Sequence, residues 1–321
     1  MASTILTILN TILPVFVVAG VGFAFSRWGL DRDRAPGLAE NTENRSDGVK
    51  RALHVLTFSY AGPAFVFTAL RESSVDFASL GSPALMALIM YVLLTLIALG
   101  LGAAFRWEWK TRKGAVLALA SKNCGNYGLP ILLFAFGDEG LVIGTVFMIT
   151  HILIHMTLGL SIASWSGDHP LRRRVMNILR FPYIYAIGMA LIVHAIGIEL
   201  PPMIVRSIAL VGELWIPLML ILLGVELSGI RVGHVLKEAG VLTVSKLLIP
   251  PLLAWGVTWL LGVGGMMQSV LILQASTPTA VNGLLVARQF DTRPDLVAST
   301  LLLSTLGSIL TIALLLGLFG A

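Results

Sequence analysis

The sequence predicts an all-α polytopic membrane protein of ten spans, arranged as two inverted five-span repeats. Three observations predict it: a composition suited to lipid, apolar runs of spanning length, and a constant 154-residue offset between the two halves. Hydrophobic residues make up 56% of the 321 and charged residues only 12%, about half the roughly 25% charge of soluble domains. Mean hydropathy is +0.89. The apolar material comes in runs of about twenty residues, enough to cross a hydrocarbon core of roughly 30 Å. With no water at that depth the backbone must satisfy its own hydrogen bonds, which makes each run a helix. The alternating segments of about ten residues that mark a membrane β-barrel do not occur.

Taken in order, the runs place spans at 4–26, 50–70, 82–105, 115–136, 140–165, 183–200, 205–228, 240–263, 268–289 and 296–319. The first lacks a basic segment before it, which reads as a span rather than a cleaved signal. The connection from Arg27 to Val49 mixes acids and bases with Pro36 and Gly37 and reads as a solvated loop. Asn44-Arg45-Ser46 within it fits a glycosylation sequon, but the orientation puts that loop in the cytoplasm. Connections after the odd spans hold 18 of the 22 Lys and Arg, and those after the even spans hold Arg71 and Arg206 alone. That asymmetry places the odd loops in the cytoplasm and both termini outside. It also accounts for the net charge of +5 without nucleic acid as a partner; the lipid bilayer is the partner implied. Trp107 and Trp109 read as interfacial anchors, and the basic segment from Arg172 to Arg180 as a strip on anionic headgroups.

The offset pairs Pro63 with Pro217, Glu72 with Glu226 and Ser74 with Ser228. It also pairs Val116, Leu117, Leu119 and Phe136 with Val270, Leu271, Leu273 and Phe290. Five is odd, so a second copy enters the membrane upside down. The domains read as a first repeat at 1–165, a cytoplasmic linker at 166–182 and a second, inverted repeat at 183–321. Such inverted repeats with a midplane site belong to secondary carriers.

Spans 4 and 9 are the poorest continuous helices. Span 4 contains Lys122-Asn123-Cys124-Gly125-Asn126-Tyr127-Gly128-Leu129-Pro130, and span 9 contains Thr277-Pro278-Thr279-Ala280-Val281-Asn282-Gly283. Gly is about 1 kcal/mol and Pro about 3 kcal/mol worse than Ala inside a helix, and Pro130 cannot donate to the preceding turn. Corresponding breaks in two halves are the best sequence pointer to a carrier's binding site, and half-helix N-termini at a break favour an anion. Pro63, Pro217 and Pro250-Pro251 read as plain kinks.

The Asn123–Asn126–Gly128–Pro130 stretch, with Pro278 and Asn282, resembles the auxin efflux carrier family. That family includes plant auxin exporters and bacterial permeases for malonate, malate and related carboxylates. The resemblance is to bacterial members, because the connection from Asp168 to Pro182 is short. The family fold is similar to that of bile-acid sodium symporters, with helices 4 and 9 broken and crossing. The resemblance implies substrate contact for Asn123, Asn126 and Asn282, crossover prolines at Pro130 and Pro278, and residence in a bacterial inner membrane. Lys122, Thr277 and Thr279 beside the breaks complete the candidate substrate-binding set, and Gly125, Gly128 and Gly283 the helix-break set.

Lys122 lies within span 4, where a charge costs roughly 2.5–3.5 kcal/mol on insertion scales. It reads either as an anion-binding group or as a structural or snorkelling lysine. Lys246 reads as snorkelling toward its basic loops. Glu72, Glu213 and Glu226 are candidate proton-coupling carboxylates, against the plainer reading of solvated helix ends. His151 and His155 share one face at i, i+4 and read as a proton relay or as packing hydrogen bonds, not as a metal site. Thr300, Ser304, Ser308 and Thr311 form a hydroxyl stripe suited to packing span 10 on span 9.

Cys124 stands alone, which excludes an intramolecular disulfide. No P-loop occurs, and Ser161 and Ser164 near the histidines have no nucleophile elbow, so no catalytic residue, metal or cofactor is expected. Coupling to H+ or Na+ stays open, as does a homodimer. The expectation is a secondary transporter of small organic anions, with a passive channel or receptor, and then an intramembrane enzyme, as the competing classes.

Overall fold

The computed structural model describes residues 2–30, 48–72, 80–164, 182–230 and 235–320. The predicted loop at 31–47 with its sequon, Ser74, the basic segment from Arg172 to Arg180 and nearly all of the 166–182 linker lie outside the described residues. Every secondary-structure element among those described is helical, and the one β-type contact is an isolated antiparallel bridge.

The helices are α1 (Ala2–Ala24), α2 (Gly62–Glu72), α3 (Gly81–Ala104), α4 (Trp109–Ala120), α5 (Leu129–Ile154), α6 (Pro182–Ile196), α7 (Pro202–Gly212), α8 (Trp215–Ser228), α9 (Leu236–Leu260), α10 (Gly265–Ala275), α11 (Val281–Gln289) and α12 (Pro294–Phe319). Four π-helical turns interrupt or extend them, at Phe25–Leu30, Leu56–Ala61, Cys124–Gly128 and His155–Gly159. Such turns favour functional positions, and two of them lie at the site described below.

Among the described residues, seven stretches are long and apolar enough to cross a membrane: Asn10–Trp28, Gly48–Arg71, Gly81–Ala104, Cys124–Ala163, Pro202–Ser228, Leu236–Leu260 and Pro294–Phe319. The fourth has 40 residues, about twice a single crossing at 1.5 Å per residue. Gly137 divides it with φ 63° and ψ −157°, a backbone conformation essentially confined to glycine. Exposed Asp138 and Glu139 follow immediately. The division falls where the sequence separates its fourth span from its fifth.

The apolar surface is outward. On α12, Leu306, Leu310, Leu314 and Leu318 are exposed at successive i, i+4 positions, while Thr300, Ser304 and Ser308 are buried. On α9, Val244, Leu248, Leu252, Trp255 and Trp259 are exposed, while Ser245, Lys246 and Thr258 are buried. In water that arrangement would be costly; in lipid it leaves the polar groups to hold helices together.

Two compact units form. The first comprises Met1–Ile12, Val75–Ile178 and Ile230–Ala321, and the second Leu13–Ser74 and Leu179–Gly229. Each draws on both sequence halves, so the packed units cut across the boundary read from the repeat. In the second unit, α1 and α8 touch backbone to backbone: a Cβ on Gly22 would stand 2.0 Å from the Ile221 carbonyl oxygen, and one on Gly224 1.8 Å from that of Ala19. In the first unit, α3, α9 and α12 pack against the two interrupted helices, α4–α5 and α10–α11.

Candidate substrate site at the paired helix breaks

Both predicted breaks are present, and both belong to the first unit. Helix α4 stops at Ala120, and Ser121 is extended (φ −72°, ψ 124°) before the π-turn Cys124–Gly128 leads into α5. Helix α10 stops at Ala275, and the chain is extended again at Ala280 (φ −88°, ψ 151°) before α11. A helix end leaves carbonyls unpaired on one side and N–H groups on the other. Here the two breaks satisfy part of each other. Lys122 and Thr279 form the antiparallel bridge, and the Asn123 N–H donates to the Pro278 carbonyl at 2.8 Å. Thr279 Oγ1 donates to the Ala118 carbonyl at 2.7 Å, while its N–H donates to Ser304 Oγ at 3.1 Å.

Two lysines complete the helix ends. Lys246, fully buried, donates through Nζ to the carbonyls of Leu119 and Ser121, both at 2.8 Å. This corrects the snorkelling expectation: Lys246 shares the inward face of α9 with Ser245, and its ammonium is held inside the unit. Lys122 is 3% exposed and donates through Nζ to the Ala275 carbonyl. Each ammonium therefore sits at the negative end of a half-helix dipole, where cations are stabilised. Among the described residues no Asp or Glu is buried, so neither lysine has a buried carboxylate partner there.

The candidate residues fall as follows. Lys122, Asn123, Asn126, Thr277 and Thr279 are buried at the crossing, and Asn282 is half-buried in the first turn of α11. Pro278 lies in the break itself, its carbonyl accepting from Asn123. Pro130 lies past the first break, in the opening turn of α5. Gly125 is the second residue of the π-turn. A Cβ on Gly128 would come within 2.4 Å of Gln274 Oε1, and one on Gly283 within 2.8 Å of the Leu117 carbonyl oxygen. These glycines admit the close approach of the two interrupted helices.

The histidines stand one layer behind. His151 Nε2 accepts the Lys122 backbone N–H at 3.0 Å. His155 stacks on it with ring centroids 6.5 Å apart and planes 9° from parallel, and the Tyr91 hydroxyl bonds His155 Nδ1 at 3.1 Å. No trio of His, Cys, Asp or Glu among the described residues could hold a metal ion. The carboxylates offered for coupling belong to the second unit. Glu213 is exposed between α7 and α8, and Glu226 pairs with His54 at 3.1 Å. The side chain of Glu72 lies outside the described residues.

Gln274 is a site residue that the sequence reading passed over. It is fully buried, its Nε2 donates to the Gly144 carbonyl at 3.0 Å, and its Oε1 faces Gly128. A glutamine one residue before the end of an apolar helix was the available signal. Tyr127 and Ser308 form a second unforeseen contact, hydroxyl to hydroxyl at 2.9 Å. Asn123 Nδ2, Gln274 Oε1 and His151 Nδ1 are buried with no hydrogen-bond partner among the described residues. These are donors and acceptors at which a polar ligand or water can bind.

Comparison with known proteins agrees with this geometry. Residues 171–316 match the family model described as membrane transport protein. A protein of Methanothermobacter thermautotrophicus, named an uncharacterized transporter, is 27% identical over 314 residues, spanning 95% of this chain and 96% of its own. The chain is an integral membrane protein. A second relative, an uncharacterized transporter of Methanocaldococcus jannaschii, is 24% identical over 204 residues, or 63% of this chain and 66% of that one. The similarity points to a transport role rather than to catalysis.

Proposed function

We propose that the protein is a secondary active transporter of small organic anions, carboxylates foremost, which binds its cargo where the two broken helices cross. The observation that carries this reading is the pair of buried lysine side chains at that crossing, with no buried carboxylate among the described residues. In a low-dielectric interior their charge, when protonated, favours an entering anion. Asn123, Asn126 and Asn282 supply amide contacts, Thr277 and Thr279 hydroxyls, and the N-termini at Cys124 and Val281 their dipoles. Lys122 makes one hydrogen bond with its side chain among the described residues, so two of its three N–H groups remain for a ligand.

In this reading the chain makes ten crossings as two inverted repeats, with both termini outside the plasma membrane of its cell. The antiparallel pairing of the two breaks, which occupy matching places 154 residues apart, supports the inversion. Movement of the first unit's crossing between the two faces provides alternating access. The carrier uses no catalytic residue and no ATP site, and a homodimer is compatible with it.

Reconstitution into proteoliposomes with a labelled panel of mono- and dicarboxylates tests the reading. Exchange of at least one carboxylate, with counterflow, is the expected result. No exchange across the panel would remove the cargo claim, and current without counterflow would indicate a channel. Wild-type rates in Lys122→Ala, Asn126→Ala and Asn282→Ala together would remove the site claim.

A further inference from the structure

Carriers built on discontinuous helices bind their coupling cations with the unwound backbone carbonyls and the C-terminal ends of half-helices. In this protein those carbonyls are already taken. Lys246 Nζ occupies the end of α4 through Leu119 and Ser121, and Lys122 Nζ occupies the end of α10 through Ala275. A protonated lysine brings the same single positive charge as a sodium ion, on a side chain that cannot dissociate. Lys246 reaches α4 from α9, and Lys122 reaches α10 from the first break, so the two ends are filled independently.

We propose that Lys122 and Lys246 are built-in replacements for coupling cations, so that the crossing neither binds nor requires Na+, Li+ or K+. This rests on the carrier reading above and selects among its open coupling modes. Two physical arguments favour it. A metal ion needs the carbonyl oxygens that the ammonium groups hold, and it would add a third positive charge to a buried region that contains no carboxylate among the described residues. Like charges in such surroundings repel more strongly than in water at the same distance. The lysines also retain what a coupling cation gives the fold, namely satisfied carbonyls at two negative dipole ends.

The proposal makes a gain-of-function prediction. Removing an ammonium while leaving room for an ion should create the cation site that the lysine fills. The experiment follows thermal unfolding of the purified full chain in sodium, lithium, potassium and choline chlorides at matched ionic strength. Wild type should unfold at one temperature in all four. Lys246→Ala and Lys122→Ala should unfold earlier in choline and recover by a few degrees in sodium or lithium, as binding to the native state requires. Methylammonium should restore them too, whereas Lys246→Met, which fills the space with an apolar chain, should recover in none.

Stabilisation of wild type by Na+, Li+ or K+ over choline would overturn the proposal. An equal response of both Ala variants to all four salts would do the same. Should the Ala variants not fold, wild-type flux decides: an imposed sodium gradient at clamped voltage is expected to leave carboxylate uptake unchanged, and sodium-driven accumulation would contradict the lysine claim. Failure of the carrier reading shows separately, as absence of any carboxylate flux, because the salt series reads the lysines without reference to transport.

Discussion

The two breaks do the same topological job with different chemistry. The second, at Ser276-Thr277-Pro278-Thr279, largely caps itself: Ser276 Oγ donates to the Ile272 carbonyl at 2.6 Å and Thr277 Oγ1 to that of Gln274 at 2.8 Å. Its hydroxyls fold back on the helix that has just ended, so α10 needs one outside donor, from Lys122. The first break, at Ser121-Lys122-Asn123, is capped from elsewhere in the chain. Its carbonyls are satisfied by Lys246, 125 residues away from Ser121 in sequence, and by Thr279. The Nδ2 group of Asn123 is thereby left at the crossing without a partner among the described residues. The difference teaches that a broken helix can be held locally, by side chains that compete for its own backbone, or remotely, by a long cation. Only the remote solution leaves the local polar groups for a ligand.

This contrast orders the expected mutational effects. Lys246→Met should be the largest, lowering stability by about 3 kcal/mol, since it leaves two buried carbonyls unpaired at once; denaturant unfolding in mixed micelles measures it. A change below about 0.5 kcal/mol would mean that the first break is also held locally. Gly283→Ala comes next, at roughly 2 kcal/mol, because its Cβ would meet the Leu117 backbone oxygen at 2.8 Å and that oxygen cannot swing aside. Gly128→Ala should be milder, because its Cβ meets the movable end of Gln274; an equal loss for both glycines would contradict this ranking. Thr279→Val removes one cross-break hydrogen bond and should cost about 1 kcal/mol. Ser276→Ala should be the smallest, within about 0.5 kcal/mol, because a back-bonded hydroxyl contributes little to the helix it bends. A larger loss there than at Thr279 would erase the distinction between the two breaks.

Much of the fold is legible in the sequence. Lipid-facing composition and run length make the helices, and the Gly, Asn and Pro clusters make the breaks, because these effects are local to a few residues. Gly137 likewise marks its own turn through a backbone conformation that other residues avoid. The role of Lys246 is harder to read. Depth along a span is compatible with either a snorkelling or an inward lysine, and the face decides. The face was nevertheless encoded: Ala239, Leu242, Ser245, Lys246, Pro250 and Ala254 follow one inward stripe of α9, while Val244, Leu248, Leu252 and Trp255 follow the outward one. The interleaved units were not readable, since they depend on which helices pack together across more than a hundred residues. The contacts of Gln274 and Tyr127, which run to partners on other helices, depend on the same packing.

Cys124 offers the most direct test of the central claim that cargo binds at the crossing. It is the sole cysteine of the chain, is buried, and opens the π-turn of the first break, so the unmodified protein carries its own reporter. The measurement is the rate of maleimide labelling of Cys124 in proteoliposomes, with and without a saturating carboxylate that the same vesicles transport. Binding at the crossing predicts a severalfold change in labelling rate with the transported carboxylate and none with one that is not transported. An identical labelling rate with and without a carboxylate that is demonstrably carried would place its binding elsewhere and contradict the account.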